Sequence, residues 1–101
     1  MAPRLSLHAL LKSITGVKEA YFQPPADITM VYPCIVYRLD DETSRFANNF
    51  SYFRRKRYLV TVIDRDPDSL IPDRVGSLPM CIFDRHFTAN NLNHYAYKIF
   101  F

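Results

Sequence analysis

Only two glycines, Gly16 and Gly76, occur in the 101 residues, and tryptophan is absent. A phosphate-cradling loop needs several glycines close together, because only glycine lets the backbone approach an anion so nearly. Two glycines 60 positions apart exclude that chemistry. Cysteine is scarce too. Cys34 and Cys81 form no C-x-x-C pair, and His8, His86 and His94 have no H-x-x-x-H spacing, so no zinc pattern exists. The carboxylates around Asp64, Asp66, Asp68 and Asp73 lack the glycine and terminal glutamate of a calcium-binding loop. Asp66 and Asp68 are explained by capping the helix that follows them. No serine or cysteine stands in a nucleophile-elbow context. Asp84-Arg85-His86, an imaginable acid–base group, reads instead as the exposed end of a strand. No catalytic residue, metal or cofactor is expected.

Long hydrophobic runs are also missing. Segment 5–11 is interrupted by Ser6 and His8 and has no small-residue cleavage site, unlike a secretory leader. No run approaches the roughly 20 apolar residues that cross a bilayer. The expectation is a soluble protein made in a cytoplasm, without a membrane partner. In that setting Cys34 and Cys81, both within apolar runs, read as two buried thiols rather than a disulfide.

Aromatic residues are plentiful. Seven tyrosines and eight phenylalanines make up 15% of the chain, more ring surface than so small a core easily hides, so some rings should face another protein. At 101 residues the chain reads as one domain, 1–101. A formal charge of +3 is mild and does not demand a polyanionic partner.

Hydrophobic spacing supplies the elements. Leu7, Leu10, Leu11 and Ile14 fall on one stripe of a helix over 5–15, which Gly16 is placed to end. A short strand at 17–22 is closed by Pro24 and Pro25, and 23–32 is a connection. Cys34-Ile35-Val36-Tyr37-Arg38-Leu39 is a strand. Tyr58-Leu59-Val60-Thr61-Val62-Ile63 belongs to a longer strand, 54–64, apolar on both faces and therefore central. Between them, residues 40–53 read as a long polar loop carrying Phe46, Phe50, Tyr52 and Phe53. A helix over 69–78 is capped by Asp68 or Ser69, carries Pro72 in its first turn and buries Ile71, Val75 and Leu78 before Pro79 stops it. Strand 80–88 places Cys81, Phe83 and Phe87 on the core side. A turn at 89–93 leads to a final strand, 94–101. The expected fold is α+β: a mostly antiparallel sheet of about four to five strands with two helices packed on one face.

The conspicuous charge feature is Arg54-Arg55-Lys56-Arg57. It has three readings: a phosphate-binding patch, a cross-strand partner for Asp40-Asp41-Glu42 at the other root of the loop, or a contact between neighbouring subunits. Interleaved rings such as Tyr52 and Phe53 suggest base stacking only weakly, since no RNP-type pattern accompanies them.

Three segments together carry a likeness. They are Tyr32-Pro33-Cys34-Ile35-Val36-Tyr37, then the run from Arg57 through Asp64-Arg65-Asp66-Pro67-Asp68-Ser69, then Phe83-Asp84-Arg85-His86-Phe87 through Leu92-Asn93-His94. The chain after residue 30 resembles the tail-completion, or tail-terminator, proteins of long-tailed (siphovirus-type) bacteriophages. The resemblance implies a non-enzymatic virion protein at the head-proximal end of the tail, assembled in the host cytoplasm. Such proteins form a homo-oligomeric ring, a hexamer by this likeness, that caps the tail tube protein and meets the head–tail connector or neck protein. DNA passes through the ring without sequence-specific binding. The expected partner surface is the loop with its charged roots: Asp40, Asp41, Glu42, Phe46, Phe50, Tyr52, Phe53, Arg54, Arg55, Lys56 and Arg57. The alternatives are a neck or head-completion protein, or a small nucleic-acid-binding module using residues 54–57.

Overall fold

A computed structural model describes residues 3–24, 29–47 and 50–100; for residues 41–47 and 50–55 it describes the backbone alone. The elements in order are α1 (Pro3–Lys12), β1 (Glu19–Phe22), β2 (Cys34–Ala47), β3 (Phe50–Asp64), α2 (Ile71–Gly76), β4 (Cys81–Ala89) and β5 (Leu92–Phe100). The strands form one sheet in the order β1-β2-β3-β5-β4. β1 runs parallel to β2, and the other pairings are antiparallel. The fold is α+β with a mixed, mostly antiparallel sheet.

β3 is central, as its two-faced apolarity requires: Val62 and Ile63, which point to opposite faces, are both buried. The core follows the register. Ile35 pairs with Val62 and Tyr37 with Val60, while Tyr97 pairs with Val60 and Ile99 with Tyr58. These residues form one buried cluster with Leu7 and Leu11 of α1 and Ile71 and Val75 of α2, and Leu10, Ile14 and Leu78 pack against it.

Both helices are shorter than their periodicity suggests. α1 ends at Lys12, where Ser13 turns its hydroxyl back onto the Leu10 carbonyl at 2.6 Å and competes with the next helical turn. Gly16 is therefore not the helix-ending C′ residue. Its φ of +99° and the Ile71 Cγ1 atom, 3.3 Å from where a Cβ would stand, mark a close crossing between the α1–β1 connection and α2. Arg74 Nη1 donates to the Thr15 carbonyl at 2.8 Å across the same crossing. The N-cap of α2 is Leu70, whose own side chain makes no capping hydrogen bond. Asp66 and Asp68 do not cap it: Asp64 Oδ1 accepts the Asp66 amide, and Asp66 Oδ1 accepts the Asp68 amide, giving two successive Asx turns. Ser69 Oγ accepts the Ile71 amide at 3.3 Å.

The largest departure lies at residues 40–53. The expected loop is antiparallel strand: β2 continues to Ala47 and β3 begins at Phe50, paired with register shifts between Leu39 and Asp41 and between Arg45 and Phe46. The stretch carries no apolar alternation to read, so its composition resembles that of a loop.

β4 also differs from expectation. A bulge between Phe83 and Arg85 sets two residues against one on β5 and inverts the alternation beyond it. Cys81 still packs against the core. Phe83 is 54% exposed and Phe87 41%, so neither is a core residue; Phe87 instead stacks on His94 at 4.6 Å. The β4–β5 turn is tight, with Asn90 and Asn91 both at positive φ (53° and 62°), the conformation that two-residue hairpins favour and asparagine tolerates.

Candidate functional site

β1 ends where Phe22 pairs with Tyr37, and β5 ends where Phe100 pairs with Arg57. Beyond those points, among the described residues, the pairing is β2 with β3 alone. Residues 41–47 and 50–56 thus form a two-stranded ribbon running past the end of the sheet, and the molecule measures 51 × 26 × 23 Å. Seven residues of strand reach about 23 Å.

The root of the ribbon is charged on both sides. Asp40 sits at a bulge between Leu39 and Asp41, and Arg57 Nε donates to its Oδ2 at 2.7 Å. Both side chains of this pair are largely shielded, at 29% and 21% exposure. The register sets Asp41 opposite Arg57 and Glu42 opposite Lys56. The cross-strand reading of the acidic and basic runs therefore holds at the root. Further out, Arg55 stands opposite Thr43 and Arg54 opposite Ser44, where the partner strand offers no carboxylate. Phe53 stands opposite Arg45, and Phe50 opposite Ala47. The sequence-derived surface is thus brought into one ribbon, while the side chains of Phe46, Phe50, Tyr52 and Phe53 lie outside the described residues.

A second feature escaped the sequence reading. α2 and the β4–β5 edge enclose an open groove of about 590 Å³, lined by Pro72, Asp73, Gly76 and Ser77 on one side and Phe83, His86, Tyr95 and Tyr97 on the other. Gly76 permits this spacing, because a Cβ there would stand 3.3 Å from the Tyr97 ring. Tyr97 donates to the Pro72 carbonyl at 2.9 Å, a buried bond that fixes helix to sheet. Phe83 meets the Tyr97 ring edge-on at 5.4 Å, and His86 lies 4.7 Å from Tyr95. Phe83, His86, Tyr95 and Tyr97 share a face only because of the bulge, which no single-strand alternation reveals. Burial pushes the Tyr95 phenol pKa up, and Asp64, Asp66, Asp68 and Asp73 push it further.

β4 itself is open. Met80 and Ile82, like Phe83, are more than half exposed, and Asp84 reaches Lys98 at 3.9 Å. His86 meets Asn93 at 3.2 Å. Cys34 and Cys81 are free thiols. Burial, aided by Asp64, pushes Cys34 up to about 11, the opposite of what a reactive thiolate needs. Among the described residues no cluster of three or more His, Cys, Asp or Glu could hold a metal, and no helix is long and apolar enough to cross a membrane.

Comparison with protein-family models finds none that matches the chain, and comparison with curated proteins finds no match.

Proposed function

We propose that this chain is a non-enzymatic assembly protein, a tail terminator of a long-tailed bacteriophage. It forms a closed ring, six-membered by the family likeness, that caps the tail tube and joins it to the head connector. One observation carries the reading: the β2–β3 ribbon leaves the sheet with a charged root and, among the described residues, no third strand beside it. An isolated two-stranded ribbon is only marginally stable in water, so a partner surface is its natural complement. In this reading the two helices cover one face of the sheet and the ribbon is the arm that engages neighbours. Six repeated contacts reinforce one another, so each can be small. The protein resides at the head-proximal end of the virion tail, and DNA crosses the ring without being read.

A second reading has one specific observation behind it. Arg54 and Arg55 stand opposite Ser44 and Thr43 rather than carboxylates, which suits a phosphate-binding strand; such binding would weaken steeply with salt. The neck-protein variant of the first reading places the ring on the connector side.

Polymerising tail tube protein with and without this chain tests the proposal. Tubes of limited length with a ring at one end, seen by electron microscopy, are the expected result. Unlimited growth with bare ends overturns it, and binding to connectors but not tubes selects the neck variant.

A further inference from the structure

The ribbon is basic, and the groove at α2 is aromatic and acidic. Among the described residues no lysine or arginine lines the groove; Asp73 does, beside Phe83, His86 and Tyr95. Asp64, Asp66 and Asp68 follow on the adjoining turn, and Tyr95 feels all of these carboxylates. An aromatic wall with a carboxylate beside it suits a cation whose stem is apolar, because ring faces attract positive charge while the walls shed water from the methylenes.

The groove lies level with the middle of β3, since Tyr97 pairs with Val60 and Tyr95 with Val62, whereas Lys56 already belongs to the ribbon. Four to six residues of strand set them about 13–20 Å apart along β3, and the ribbon runs away from the groove, so a chain does not lay its own ribbon in its own groove. The two surfaces differ in kind: aromatic with a carboxylate at α2, basic along the ribbon. A contact between them uses two different surfaces and closes into a ring when the rotation between copies divides a full turn.

We infer that the groove between α2 and the β4–β5 edge receives the basic segment 54–56 of a second copy of this chain, with an arginine or lysine side chain against Phe83 and Tyr95 and Asp73 as its counter-ion. This rests on the ring reading and assigns the two surfaces that build it. Arg54, Arg55 and Lys56 supply the positive charge of this segment; Lys56 stands opposite Glu42 in the register.

Native mass spectrometry and sedimentation of four proteins test the inference: wild type, Asp73→Arg, Arg54→Glu with Arg55→Glu, and the combination of all three changes. The wild type assembles, each charge reversal weakens assembly by about tenfold or more, and the combination recovers most of it. Circular dichroism checks folding. If a reversal unfolds the chain, Asp73→Asn and the Arg54→Gln, Arg55→Gln pair replace it, with weaker assembly again expected. A wild type that assembles while ignoring both reversals overturns the groove contact and leaves the ring reading standing. Loss in both single-surface variants without recovery in the combination overturns the pairing of these two surfaces. A wild type that is monomeric at all concentrations overturns both the contact and the ring.

Discussion

Arg57 Nε lies 2.7 Å from Asp40 Oδ2 at the point where β2 and β3 leave the sheet. The bond joins a bulge residue to the first ribbon pair, since Arg57 also stands opposite Asp41. It anchors the ribbon's direction rather than the core.

Asp40→Asn should therefore loosen the ribbon and barely alter the rest. The pair is only partly shielded, so the global cost is about 1 kcal/mol or less. Hydrogen exchange checks this: amides of 41–47 should exchange faster than in the wild type, with β5 amides unchanged. Equal acceleration throughout would mean that the pair stabilises the core.

Tyr97 links α2 to the sheet through its buried bond to the Pro72 carbonyl. Tyr97→Phe keeps the ring but removes this buried bond, costing about 1 kcal/mol. Leu11→Ala empties a fully buried site of α1 and should cost about 2–5 kcal/mol. Urea denaturation reads both, and the leucine change should be the larger.

Alkaline pH should destabilise the fold. Cys34 titrates at about 11 when folded against an ordinary 9.0, and burial raises Cys81, Tyr37 and Tyr97 in the same direction. Between those values the unfolded chain has released protons that the folded chain still holds. Stability is thus complete below pH 9 and falls as pH rises toward 11. Melting temperature against pH checks the sign. In Cys34→Ala the fall should be shallower, and Cys34 should resist alkylation at pH 8 until the protein is unfolded.

The parts of the fold legible in the sequence are those where burial imposes a period. Leu7 and Leu11, the two-faced run Val60–Ile63, and the alternation of Tyr95, Tyr97 and Ile99 each announce their element because the core demands it. The ribbon was hidden for the converse reason: with no apolar period, 40–53 has the composition of a loop, although the cross-strand charges at Asp41 and Arg57 were in place to suggest pairing. Phe87 was misassigned because a bulge at Asp84 shifts the alternation by one beyond it; Phe83, before the bulge and on the Tyr97 side, is exposed because it borders the open groove. The α2 groove follows from that same shift, so it was invisible until β4 and β5 were set in register.

Deleting the ribbon tests the central claim most directly. Replacing residues 43–55 by a two-residue Asn-Gly turn keeps the Glu42–Lys56 pair and the whole five-stranded region. Native mass spectrometry then compares the two proteins across concentration. Ring assembly through the ribbon predicts a closed oligomer for the wild type and a folded monomer for the shortened chain. A shortened chain that assembles as well as the wild type, or a wild type that never assembles, would contradict it.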